Sequence, residues 1–223
     1  MNKVITFFLT VAIAIGFVKA RDLTPDEILQ ATAIRCNNLV YSNGKTSVCF
    51  ADKFLTTAKN AAGLNVITKF NTVKLDTNAL FESPFTVVSG EGFFRFSAAE
   101  RKHLQQYLTC GGFLLASPGC SDKAWNKSFR AEINALFPET PLKTIPMTHP
   151  IFSLLYDIPV LRLKSGGTTL IEGIEINGRL ALIYSAEGLN DVKNAKGCCC
   201  CGGNMIRESE KVNVNILLHA LTD

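Results

Sequence analysis

Two apolar runs of strand length, Phe85-Thr86-Val87-Val88-Ser89 and Phe113-Leu114-Leu115-Ala116, do most to constrain how this chain can fold. Neither alternates apolar with polar residues, so each predicts a strand covered on both faces, the usual environment of a parallel sheet. Between them lies a helix signature: Ser97 as N-cap with Glu100 at the third position, an apolar face of Leu104, Tyr107 and Leu108, and a Gly111-Gly112 stop. Strand, helix and strand within about 30 residues make a right-handed βαβ unit, the building block of a doubly wound sheet.

The flanking sequence reads in the same terms. Thr24-Pro25-Asp26-Glu27 combines a capping box with proline at the first helical position and predicts a helix to about Arg35. Leu39-Val40-Tyr41 reads as a short strand before a Ser42-Asn43-Gly44-Lys45 turn, and helical spacing over 52–62 ends at Gly63. Asn65-Val66-Ile67-Thr68-Lys69-Phe70 is the next extended candidate. Downstream come a short helix over 128–137 stopped by Pro138, a hairpin of 169–175 and 179–185 about Ile176-Asn177-Gly178, and a closing helix over 212–221.

The amino end reads as a secretory signal peptide. A positive start (Lys3), an apolar run over 4–18 and a Val18-Lys19-Ala20 ending predict cleavage between Ala20 and Arg21. The competing reading, a retained anchor, is disfavoured because a spanning helix needs about 20 apolar residues. Cleavage removes two lysines and no acid, taking the formal charge from +4 to +2. A nearly neutral exported domain over 21–223 gives no electrostatic case for nucleic acid, or for a membrane surface after cleavage. The expected location is therefore periplasmic or extracellular, where disulfides persist, and all eight cysteines lie after the cleavage point.

Several strings resemble, in order and spacing, an exported bacterial family catalogued as domain of unknown function 4159. They are Pro84-Phe85-Thr86-Val87-Val88-Ser89-Gly90-Glu91-Gly92, Phe96-Ser97-Ala98-Ala99-Glu100, Tyr107-Leu108 with Gly111-Gly112-Phe113-Leu114, Ser128-Phe129-Arg130, Leu136-Phe137-Pro138, His149-Pro150-Ile151-Phe152, Leu170-Ile171-Glu172-Gly173-Ile174 and Val212-Asn213-Val214-Asn215. The resemblance covers roughly residues 30–222. It implies an α/β fold of three layers, flavodoxin-like and similar to class I glutamine amidotransferases, with a mostly parallel sheet, helices on both faces and a C-terminal β-hairpin excursion. It implies no reaction.

Four groups of residues could carry chemistry. Cys198-Cys199-Cys200-Cys201 could bind a metal ion, enter disulfides with Cys36, Cys49, Cys110 or Cys120, or act as a redox dithiol. Adjacent cysteines favour distant partners, because about 3.8 Å between their Cα atoms is below the usual disulfide span. Cys120 lies past a strand at the carboxyl edge of the sheet, where a nucleophile would sit, with His149 as a conceivable base. Ser117-Pro118-Gly119-Cys120-Ser121 nevertheless lacks the Gly-x-Cys-x-Gly elbow of an amidotransferase. Ser89, Gly90, Glu91 and Gly92 form either a tight turn or a ligand-binding loop at that edge, with Asp122 and Arg130 nearby. His149 also fits a loop-pinning cap, and His103 and His219 fit packing or surface roles. Three functions follow: a non-catalytic module for an unknown protein or small-molecule ligand, a metal- or redox-handling protein, or a degenerate Cys-dependent hydrolase or amidotransferase.

Overall fold

Strands β1 (Cys36–Val40), β2 (Asn71–Lys74), β3 (Phe85–Val88) and β4 (Phe113–Ala116) lie parallel, as the apolar runs predict for β3 and β4. The computed structural model describes residues 24–46, 50–189 and 206–223. Among these the main sheet has seven strands in the order β2-β1-β3-β4-β9-β8-β5, completed by β5 (Lys143–Thr144), β8 (Glu172–Ile176) and β9 (Arg179–Tyr184). β9 is parallel to β4, whereas β8 runs antiparallel to β9 and β5 antiparallel to β8. The β8–β9 turn is Asn177-Gly178, both at positive φ (55° and 78°), the backbone twist that a two-residue hairpin requires.

Alternation along the strands divides the core. Phe85, Val87, Phe113 and Leu115 pack with helices α2 (Lys53–Ala62) and α5 (Ser209–Thr222). Val88, Leu114, Ala116 and Tyr184 pack with α3 (Ala98–Thr109) and α4 (Lys123–Leu136). Phe85 and Phe113, opposite one another in register, stack with centroids 5.7 Å apart. Burying one such side chain contributes about 1.5–3 kcal/mol. The buried face of α5 is largely apolar but includes two asparagines. Asn213 Nδ2 donates to the Leu189 carbonyl (2.7 Å), while Asn215 Oδ1 accepts from the Leu155 and Tyr156 amides and its Nδ2 donates to the Tyr156 carbonyl. No helix of the described residues is long and apolar enough to cross a membrane.

The chain divides into two compact units, residues 1–32 and 33–223. In the first, helix α1 (Pro25–Ala31) has the expected capping box from Thr24 and Glu27. It stops short of Arg35, because Ile34 is already bridged to Val66. Three other boundaries also move. Val66 makes only that single bridge, and β2 begins after Phe70. α4 starts at Lys123 rather than near Ser128, because the Asp122 carboxylate caps it. Thr168–Thr169 forms β7, paired with β6 (Leu161–Arg162), and leaves β8 to start at Glu172.

Candidate functional site

Val88, Ala116 and Tyr184 end three adjacent strands in register, so Ser89, Ser117 and Ser185 stand side by side at the carboxyl edge. The Ser117 amide donates to the Val88 carbonyl (3.2 Å) and the Ser185 amide to that of Ala116 (3.1 Å). All three serines are buried. Above this row the loops are held by specific bonds. Trp125 Nε1 donates to Tyr41 Oη (2.6 Å), which donates to the Ser89 carbonyl (2.9 Å). Gly90 threads between them, and a Cβ there would lie 2.3 Å from Tyr41 Oη and 2.9 Å from Trp125 Nε1. Burial, with the nearby Glu100 charge adding to it and the Trp125 bond opposing, pushes the Tyr41 pKa up and keeps the phenol a donor.

The next layer joins the β3 and β4 tips directly. The Gly119 amide donates to the Gly90 carbonyl (2.8 Å), and Glu91 Cγ and Oε1 lie 3.1 and 3.3 Å from where a Gly119 Cβ would sit. Lys45 Nζ donates to the Glu91 carbonyl (3.1 Å). Cys120 and Ser121 follow in the left-handed region (φ 50° and 53°), a conformation costing each non-glycine residue on the order of 1–3 kcal/mol and concentrated at functional sites. The Cys120 side chain is exposed. Thus Ser89, Gly90, Glu91, Gly92, Cys120 and Asp122 lie on neighbouring loops at the carboxyl edge.

Asp122 and Arg130 are nevertheless engaged structurally. Asp122 Oδ1 accepts from the Trp125 amide (2.7 Å) and the Gly92 amide (3.1 Å), capping α4 and tying the glycine loop to it. Arg130 makes a two-pronged ion pair with Glu172, donates to Asn126 Oδ1 (2.9 Å) and lies over the Tyr184 ring. These contacts brace α4 against β8 and β9.

His149 lies at the other end of the sheet. Its Nδ1 accepts from the Ile151 amide (3.2 Å), capping the 3-10 turn Pro150–Phe152. Its ring meets that of His219 (centroids 5.5 Å), which in turn meets Phe113, the first residue of β4. Cys120 lies past the last residue of the same strand, so the two are not brought together and the conceivable Cys–His pair has no geometry to act through. The loop-pinning role of His149 is the one the geometry carries.

The remaining cysteines separate by environment. Cys36 is a free, fully buried thiol in β1, and burial pushes its pKa up to about 12, which disfavours the thiolate needed of a ligand or nucleophile. Cys110 is a free, exposed thiol at the carboxyl end of α3. Cys49 and Cys198–Cys201 lie outside the described residues. The sequence reading missed Tyr41, Lys45, Trp125 and Ser185. Only strand register exposes their convergence, although a serine directly after each of three apolar runs was a readable sign.

A family model matches residues 37–221. The chain belongs to that family, a domain of unknown function (DUF4159). The match begins in β1 and ends in α5, so it takes in both edges of the sheet and every described candidate residue except Cys36. No curated protein matches the chain. Membership in this family therefore brings no reaction to the carboxyl edge.

Proposed function

We propose that this is an exported, non-catalytic binding domain on a flavodoxin-like, amidotransferase-like three-layer scaffold, taking a small polar ligand at the carboxyl edge of its sheet. The observation that carries this reading is the bond from the Gly119 amide to the Gly90 carbonyl, which sets Glu91 and the left-handed Cys120 turn beside one another on strand tips. Open α/β sheets bind ligands outside the carboxyl ends of their strands. Glu91 would accept from a ligand hydroxyl or ammonium, and rigid loops lower the ordering cost of binding. Export rests on the signal-like amino end.

The test is a screen of small hydroxylated and amine-bearing compounds against the protein from residue 21 onward, read by amide chemical shifts. The expected hits perturb residues 89–92 and 119–122, weaken at least tenfold in Glu91→Gln and survive His149→Asn. Hits confined to other surfaces would overturn the assignment. A second reading, a cysteine-rich centre holding a metal ion or cycling thiols, rests on the sequence run Cys198–Cys201, which lies outside the described residues. Elemental analysis and thiol counting on native protein decide it: no metal and no thiol change under oxidants would remove it.

A further inference from the structure

Residues 149–156 are held against α5 at two points one helical turn apart. Asn215 holds the far end, accepting from the Leu155 and Tyr156 amides (3.1 and 3.0 Å). His219 holds the near end, its ring set edge-on to His149 at 5.5 Å. An i, i+4 pair shares one face of a helix, so Asn215 and His219 form a single docking strip. One of its contacts cannot titrate; the other consists of two imidazoles.

The neutral state of that pair is written into its bonds. His149 Nδ1 accepts the Ile151 amide hydrogen, so its ring proton sits on Nε2. Protonation would place hydrogen on Nδ1 as well, facing another donor, and the cap would be lost. His219 is about nine-tenths buried, and its Nε2 has no hydrogen-bond partner. The charges around it are Asp223, just past the end of α5, whose Oδ2 is 3.6 Å from Nε2, and Arg179 on β9. Phe113 of β4 meets its ring without charge. On the other side, Lys143 of β5 and Glu175 of β8 line with His149 a cavity of about 400 Å³.

We infer that His149 and His219 form a proton-sensitive latch: neutral, it holds the Pro150–Phe152 turn against α5, and protonated, it releases that turn and the wall of the adjoining cavity. Burial holds the His219 pKa below its ordinary value, with Asp223 opposing and the neighbouring His149 and Arg179 adding to the depression. A depressed histidine stabilises the folded state fully above the unfolded value, about 6.5, and that contribution drains as the pH falls below it.

The experiment is amide hydrogen exchange on the full chain from pH 8 to 5, corrected for intrinsic rates, alongside NMR titration of the histidine rings. Protection at Ile151 should fall below about pH 6.5, by at most about tenfold per pH unit for each proton taken up. Leu155 and Tyr156, held by Asn215, should keep their protection. His149→Asn retains an acceptor for the Ile151 amide without a titrating ring and should flatten much of the fall; adding His219→Phe should flatten the rest. Uniform loss across 151–156, no loss in the wild type, or an unchanged slope in His149→Asn would each overturn the latch. The last readout does not require the His219 variant to fold.

Discussion

The two ends of the parallel sheet are built on opposite plans. At the carboxyl edge, strand tips are locked by bonds among the Tyr41 phenol, which burial keeps protonated, the Trp125 indole, the Asp122 carboxylate and backbone carbonyls. At the amino edge, contacts run through two imidazoles, and the free thiol of Cys110 lines a cavity of about 320 Å³ with Tyr107 and Ser83. On the proposed reading, rigidity at one end would pre-organise a surface, while the inferred latch would make the other end answer to solution conditions. A site for selective binding belongs on the first, and a conditional element on the second.

That contrast can be broken most easily at Trp125. Trp125→Ala removes a fully buried ring that stacks on Phe129 and caps the Tyr41 network, and should cost about 3–5 kcal/mol in denaturant unfolding. A loss below about 1 kcal/mol would mean the carboxyl edge is not the stiff region. Gly90→Ala should follow at about 1–3 kcal/mol, because its methyl group would collide with Tyr41 Oη unless the network parts. Asp122→Ala should cost about 1 kcal/mol through loss of the α4 cap, whereas Asp122→Asn should retain most of it. If Asn fails as fully as Ala, charge rather than capping geometry is what matters there.

The smallest effect sharpens the other end. Cys110→Ser should change stability by no more than about 0.5 kcal/mol, as expected of an exposed site. In native protein Cys110 should react with a thiol reagent while Cys36 reacts only on unfolding, since burial holds its pKa near 12 and withholds the thiolate. Mass mapping of the labelled peptides checks both. Native labelling of Cys36 would show that the core around β1 opens far more readily than its packing implies.

Much of this organisation was legible before any coordinates. Unbroken apolar runs identify β3 and β4 because both faces are covered, and capping residues place the starts of α1 and α3 because orphaned amides need acceptors. Asp122 was read as a surface charge near a site, yet its carboxylate starts α4, as a helix cap does whenever the first turn lacks other acceptors. Arg130 was likewise placed at the edge, but its partner Glu172 comes from a strand whose antiparallel direction the sequence pattern does not encode. Tyr41 and Trp125 are distant in sequence and meet only through strand order, so no local signal marks them. The separation of Cys120 from His149 follows from the same cause: proximity across a sheet depends on which end of a strand each residue adjoins.

The central claim, binding at the carboxyl edge without thiol catalysis, is tested most directly by assaying the protein from residue 21 onward against a panel of amide and ester substrates, beside Cys120→Ser and His149→Asn. The account predicts no turnover above background in any of the three. Turnover in the wild type that disappears in both variants would contradict it, because it would require the two side chains to meet across the length of β4.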